Sequence, residues 1–236
     1  MSNLNILIDH QIFSLQTYGG ISRYFVDLHR GINEHSENIN SSFEAMFSSN
    51  FYLNRPNEIQ SNSWLNSKAT YATNELFAST QNLFSKKTFD VHHQTYFYNT
   101  GYRKSKSRVM TFYDCIPERF PNLFNSDKVI LQKQKALSKC DAVIAISEQT
   151  KQDLMSFYGI AEERIRLIYL SPPKLFYSEE PKISGNYILF VSNRAGYKNF
   201  QNFIMAFSQS QFLKNNFKVV CFGGPNFSVE EKQYLN

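Results

Sequence analysis

The stretch DAVIAISEQTKQDLMSFYGIAEERIRLIYL, residues 141–170, reads as strand, helix and strand in succession. The apolar run 141–146 stops at Ser147, a residue type that caps helix N-termini. A helix follows and ends at Gly159, the type that takes the left-handed position after a helix, and a second β-favouring run occupies 164–170. A strand, a crossover helix and another strand make a parallel pair.

The same alternation extends outward. β-Favouring runs stand at NILI (5–8), FEAMF (43–47), FDVHH (89–93), RVMTF (108–112), YILFV (187–191) and FKVVCF (217–222). They predict an α/β fold with parallel sheets flanked by helices. Between Ile21 and Ile32 the residues Ile21, Tyr24, Phe25, Leu28 and Ile32 share one helical face, leaving Arg23, Asp27 and Arg30 outward. Further helices are predicted at about 127–139 and 198–213. Residues 50–88, rich in Asn and Ser and poor in pattern, read as loop with one or two short helices.

The stretch LSPPKLFYSEEPKISGN, residues 170–186, holds three prolines and no periodicity, and reads as an interdomain linker. The chain therefore divides into a first domain at 1–171, a linker at 172–186 and a second unit at 187–236. Roughly 50 residues are too few for an independent core of this type. The second unit is read as the opening βαβ portion of an incomplete domain.

With 236 residues, 42% hydrophobic and 19% charged, the chain has an ordinary globular composition. Its net charge of +5 favours anionic partners, but the basic residues are dispersed, so nothing points to nucleic acid. The densest basic run, YRKSKSR, holds Arg103, Lys104, Lys106 and Arg108 and reads as a surface loop, either simply solvated or touching anionic lipid headgroups or a lipid-phosphate acceptor. Three widely spaced cysteines without ligand spacing read as reduced thiols. With no secretory leader pattern and no long apolar run, a cytoplasmic location follows, at most peripheral to the membrane.

Ligands of open α/β sheets bind beyond the C-terminal strand ends, where helices present free N–H groups. Gly19 and Gly20 fall at such a place, either to form a tight loop or to let the backbone approach a phosphate or sugar with positive φ. Arg194 and Lys198 follow the 187–191 strand and flank the next helix start. Cations there oppose the helix dipole unless an anion is bound, and Arg with Lys suits a diphosphate. His92 and His93 end a strand and so face opposite sides, one packed and the other looking into a cleft. Asp114 lies just past another strand, as a loop cap or as an acceptor for sugar hydroxyls. No GxGxxG, P-loop, GxSxG, HExxH or metal-ligand cluster competes, which disfavours a nicotinamide-dependent enzyme.

The ordered set YGGISRYFVDL, FDVHHQTYFYNT, VMTFYDCIPERFP, KCDAVIAISEQTKQDLMSFYGI, RIRLIYLSP, YILFVSNRAGYKNF and VVCFGGPNF resembles the GT-B fold glycosyltransferases of family 4 across almost the whole chain. The resemblance implies two Rossmann-like domains holding a nucleotide-sugar donor between them. It also implies retaining, metal-independent transfer without a cofactor, the nucleotide-diphosphate sugar being a co-substrate. In that frame Gly19 and Gly20 shape the loop near the transferred sugar, Arg194 and Lys198 bind the diphosphate, and Gly223 and Gly224 let backbone amides approach the nucleotide. His93 and Asp114 line the sugar and acceptor side as the catalytic candidates. The acceptor implied is a polysaccharide or glycolipid of bacterial surface type.

Two departures stand out. Tyr113 occupies the position where many members carry His, and no two glutamates are eight positions apart, so the family's Glu-x7-Glu element is missing. The isolated chain is therefore expected to have little or no transferase activity. Two readings follow: a truncated or split transferase, its remaining donor domain supplied by a separate chain, or a non-catalytic binding or partner module.

Overall fold

The computed structural model describes residues 3–45, 47–53, 66–98, 103–124, 126–172, 183–194 and 196–235. It divides into two compact units, Met1–Pro172 and Pro173–Asn236. Of the linker predicted at 172–186, residues 173–182 lie outside the described residues.

The first unit runs β1 (Leu4–Ile8), α1 (Gln11–Leu15), α2 (Gly20–His35), β2 (Ile39–Phe43), α3 (Ser67–Phe84), β3 (Phe89–Gln94), β4 (Ser105–Phe112), α4 (Ile116–Arg119), α5 (Asp127–Leu137), β5 (Ala142–Ala145), α6 (Glu148–Tyr158) and β6 (Ile165–Leu167). The strands form one six-stranded sheet in the order β2-β1-β3-β4-β5-β6, every neighbouring pair parallel. This is the parallel α/β architecture read from the alternation, in the Rossmann-like form that the resemblance implies. Because β2 lies on one side of β1 and β3 on the other, the chain reverses direction across the sheet at β1, the kind of switch point where such sheets bind ligands.

The capping signals act as read. The Ser147 side chain accepts from the Thr150 backbone N–H, and Gly159 closes α6 at φ 61°. The α2 face also forms: Phe25 is fully buried, while Ile21, Tyr24 and Leu28 pack around it. One core cluster joins β1, α1 and α2, and a second joins β4, β5, β6, α5 and α6.

Several predicted bounds shift. The second strand is Ile39–Phe43, so FEAMF enters it only through Phe43, and Met46 lies outside the described residues. The pattern-poor region 50–88 contains one 18-residue helix, α3, capped by Asn66; 54–65 lie outside the described residues. Its weak apolar periodicity hid it, since it seats itself on α1 through small and polar residues, Thr70, Asn74 and Ala78. β4 begins at Ser105, inside the basic run read as a loop.

The second unit runs β7 (Tyr187–Val191), α7 (Phe200–Gln209), α8 (Gln211–Asn216), β8 (Lys218–Phe222) and α9 (Val229–Leu235). β7 and β8 pair in parallel, making a βαβ unit. The single helix predicted at 198–213 is broken at Ser210, whose side chain caps α8 by accepting from Leu213 N–H. Phe190 packs on Phe200 and Phe203 of α7, while Tyr187, Leu189, Val191 and Phe222 stay exposed.

Candidate functional site

At the C-terminal ends of β3 and β4 a cavity of about 260 Å³ opens, bordered by Gln16, Tyr96, Phe97, Tyr113, Asp114 and Lys133 among others. Its floor is built first. Asp9, at the end of β1, accepts through Oδ1 from Thr95 N (3.1 Å), Thr95 Oγ1 (2.5 Å) and Gln11 N (3.3 Å), and through Oδ2 from Gln11 Nε2 (2.8 Å). Thr95 Oγ1 accepts in turn from Ile12 N–H at 3.0 Å. One buried carboxylate thus ties the end of β3 to α1. Burial pushes the Asp9 pKa up, but His92, whose Nε2 lies 3.6 Å from Oδ2, with help from His10 and Thr95, holds it below the usual value.

The opposite wall carries an inward cation. Lys133 of α5 is 4% exposed and donates to the Asp114 carbonyl at 3.0 Å and to Glu118 at 2.9 and 3.1 Å. Its ammonium also sits over the Phe97 and Phe112 rings. Tyr158 hydrogen-bonds the same Glu118 carboxylate. Lys133 is neutralised in place and holds the loop after β4 in position.

Asp114 takes the turn-capping role that its sequence position left open, and it stands beside the cavity. Its Oδ1 accepts from Ile116 N–H at 3.1 Å, a turn-capping bond, and the exposed side chain borders the cavity. Tyr96 beside it has its pKa pushed up to about 12 by burial, with Tyr98 and Asp114 adding to the effect. The Tyr113 hydroxyl is buried with no hydrogen-bond partner among the described residues, and burial raises its pKa well beyond the ordinary value.

The histidine pair does not divide into one packed and one cleft-facing ring. Both are buried, because both faces of a parallel sheet are covered. His92 lies beside Asp9; His93 Nε2 hydrogen-bonds Thr111 Oγ1 at 2.9 Å and its ring meets Phe25 edge-on. His93 therefore stands behind Thr111, which borders the cavity, rather than on the cavity wall. Burial lowers its pKa to about 4, Asp9 opposing and His92 adding to the effect, so the ring is neutral near pH 7.

The glycine pair opens α2, with Gly20 its first residue and Gly19 its N-cap. Neither takes the left-handed conformation; Gly19 at φ 175° is extended backbone open to any residue. What glycine supplies at 19 is room: a Cβ there would overlap the Gln16 side-chain amide, whose Oε1 is buried without a partner among the described residues. Around Gly20 there is open space.

In the second unit Arg194 is 8% exposed and forked onto Glu231 of α9, with Nε–Oε1 at 2.8 Å and Nη2–Oε2 at 3.2 Å. It also donates to the Pro225 carbonyl at 2.7 Å. The cation predicted to need an external anion is thus balanced by Glu231, a residue the linear pattern gave no reason to choose. Lys198 is exposed, its ammonium 4.7 Å from the centre of the Tyr197 ring, and it forms no ion pair among the described residues. Gly223 and Gly224 do take positive φ, 85° and 83°, and a Cβ at 224 would press to 3.2 Å from Asn193 Cα. A cavity of about 470 Å³ borders Asn193, Arg194, Gly196 and Glu231. Among the described residues no group of three or more His, Cys, Asp or Glu is placed to hold a metal ion, and no helix is long and apolar enough to cross a membrane.

Gln16, Thr95, Tyr96 and Lys133 escaped the sequence reading. Thr95 and Tyr96 stood in the motif beside His93, but Lys133 shows only as one lysine among several on an amphipathic helix.

A parallel α/β unit with a cavity at the C-terminal ends of its strands is the architecture of a broad class of Rossmann-like enzymes and binding proteins. A family model described as Glycosyltransferase Family 4 matches residues 18–170, and the chain belongs to that family. Among solved structures it is similar to a glycosyltransferase from Rickettsia africae ESF-5, with 16% identity over 94% of this chain and 69% of that one and a TM-score of 0.47. It is also similar to Anabaena Alr3699/HepE, solved in complex with UDP and glucose, with 15% identity over 99% of this chain and a TM-score of 0.59. The chain spans 64% of the length of the Anabaena structure. No curated protein sequence matches.

Proposed function

We propose that this chain is the acceptor-side domain and the beginning of the donor domain of a retaining, metal-independent glycosyltransferase. Its sugar donor would be a nucleotide-diphosphate sugar and its acceptor a polysaccharide or glycolipid met in the cytoplasm. The observation that carries this reading is the cavity at the ends of β3 and β4, in the unit that matches the family: aromatic walls of Tyr96, Phe97 and Tyr113 with one carboxylate, Asp114, at its edge. Aromatic faces receive the C–H side of a sugar ring, and a carboxylate accepts from its hydroxyls. His93, neutral and hydrogen-bonded to Thr111, acts in this reading by fixing the wall rather than by proton transfer. Gly19 and Gly20 keep the loop before α2 low, near the transferred sugar.

Donor binding falls to the second unit. The Anabaena neighbour was solved with UDP and glucose, and a diphosphate here would meet Lys198, the Nη1 edge of Arg194 beside Gly224, and the backbone of Gly223 and Gly224. Stabilising charge on the leaving diphosphate is the main electrostatic demand of such a transfer.

Nucleotide diphosphates and their sugars should bind the purified chain measurably by calorimetry, with Lys198→Ala and Arg194→Ala each weakening binding about tenfold, the cost of one lost charge-assisted contact. Equal binding by all three proteins removes the phosphate role. Turnover of a nucleotide sugar by the 236-residue chain alone would show that no partner chain is needed, against the split-enzyme reading. Binding of saccharides without any nucleotide binding would favour the alternative, a non-catalytic binding module.

A further inference from the structure

Beside the cavity stands a pair of aromatic rings that the core does not claim. Tyr18 is 67% exposed and Phe51 57%, yet the two stack on each other with centroids 5.2 Å apart and planes inclined by 30°. Tyr52, which packs on the core around Phe25, meets Phe51 edge-on at 5.6 Å and backs the pair. Exposed apolar side chains scattered singly are ordinary on a protein surface. A stacked pair seated on buried polar groups is a built feature.

The seat is Asn50, which is fully buried. Its Nδ2 donates to the Gln16 carbonyl at 2.7 Å, and its Oδ1 accepts from Tyr52 N–H at 3.1 Å. Ser48, also buried, donates through Oγ to the Phe13 carbonyl at 2.7 Å and accepts from Asn50 N–H at 3.0 Å. Phe51 N–H donates to the Thr17 carbonyl at 2.9 Å. The segment that carries Phe51 is thus fastened along the loop that carries Tyr18, so the two rings are held in place before any ligand arrives.

That loop is also part of the cavity wall. Gln16 and Ile21 both border the cavity, and Tyr18 lies between them in the chain. Two Cα steps keep the Tyr18 Cα within about 7.6 Å of the Gln16 Cα. Neither 13–22 nor 47–53 holds a charged residue. A phosphate or an anionic headgroup finds no cation on these segments. The neutral C–H face of a sugar ring fits a stacked aromatic pair, with the Tyr18 hydroxyl and the exposed Thr17 hydroxyl beside it for hydrogen bonds.

With the cavity read as the acceptor's, we infer that Tyr18 and Phe51 form a second saccharide subsite at its edge, which selects an acceptor of at least two neutral sugar residues. One ring occupies the cavity beside Asp114, and the next lies on the aromatic pair. A monosaccharide uses the cavity alone.

The test is saturation-transfer NMR titration of the full chain with methyl glycosides of glucose, galactose and N-acetylglucosamine and with their di- and tetrasaccharides. In a series that binds, the longer saccharides should bind about tenfold tighter than the monosaccharide, the worth of one good aromatic contact. Tyr18→Ala and Phe51→Ala should each remove most of that gain at unchanged monosaccharide affinity and circular dichroism, whereas Tyr18→Phe should keep most of it. Asp114→Asn should weaken all lengths alike. Equal affinity at every length, or a gain that survives both alanine substitutions, overturns the second subsite, while a loss on Asp114→Asn still upholds the cavity. Absence of saccharide binding at every length overturns both. A dimer in light scattering that Tyr18→Ala dissolves also overturns the subsite, since the pair would then be a contact between copies.

Discussion

His93 is the sharpest quantitative test of the first unit. Its ring is buried against Phe25 and Thr111, and burial lowers its pKa from 6.5 to about 4. A folded value below the unfolded one means that, between pH 6.5 and 4, the unfolded chain takes up a proton that the native state refuses. Stability is therefore complete above pH 6.5 and falls as pH drops through that window. At 1.36 kcal/mol per pKa unit the loss is about 2 kcal/mol at pH 5 and about 3 kcal/mol at pH 4. Urea unfolding of the native chain and of His93→Gln at pH 7, 6, 5 and 4.5 isolates this contribution, because other groups titrate equally in both proteins. The variant should lose correspondingly less stability on acidification, and the His93 ring protons should keep their NMR shifts down to about pH 5. Parallel stability curves, or a ring that titrates near 6.5, would refute the reasoning.

Lys133→Met should cost about 3 to 5 kcal/mol in urea unfolding of the first unit, because it strands the buried Glu118 carboxylate; adding Glu118→Leu should restore most of that. Asp153 is held below its usual pKa by hydrogen bonds from Arg119, against burial and with help from Gln149. Its stabilisation is thus present above an ordinary carboxylate pKa and lost as pH falls through the depressed value. With Arg119 half in water it amounts to about 1 kcal/mol, and Asp153→Asn should remove that acid-dependent step from the stability profile. Gly31→Ala, inside α2 with nothing within 4 Å of the new methyl, should raise thermal stability by about 0.5 to 1 kcal/mol. Gly224→Ala should instead speed hydrogen exchange in β7 and β8, since φ is 83° and the methyl crowds Asn193, a penalty of about 1 to 2 kcal/mol.

The elements whose signals are local were legible in the chain: the Ser147 cap, the Gly159 stop, the Phe25 face of α2 and the apolar runs that became β1, β3, β5, β7 and β8. Period, cap and turn chemistry are properties of neighbouring residues, so they determined an α/β protein with parallel strands. α3 was not legible, because a helix that seats itself through Thr70, Asn74 and Ala78 writes no strong apolar period. The long-range pairings decided the rest. Asp9 bonding Thr95, Lys133 neutralised by Glu118, and Arg194 balanced by Glu231 join residues 86, 15 and 37 positions apart. Only the tertiary structure brings such partners together, and it sets whether a buried charge is spent on the fold or left for a ligand. The sequence alone offered candidates for chemistry, Asp114, His93, Gly19, Gly20, Arg194 and Lys198 among them, without deciding which of them reach a cavity. The structure put Asp114 at a cavity edge, set His93 behind its wall and left Lys198 exposed, because solvation and pairing are settled by what each side chain meets in space.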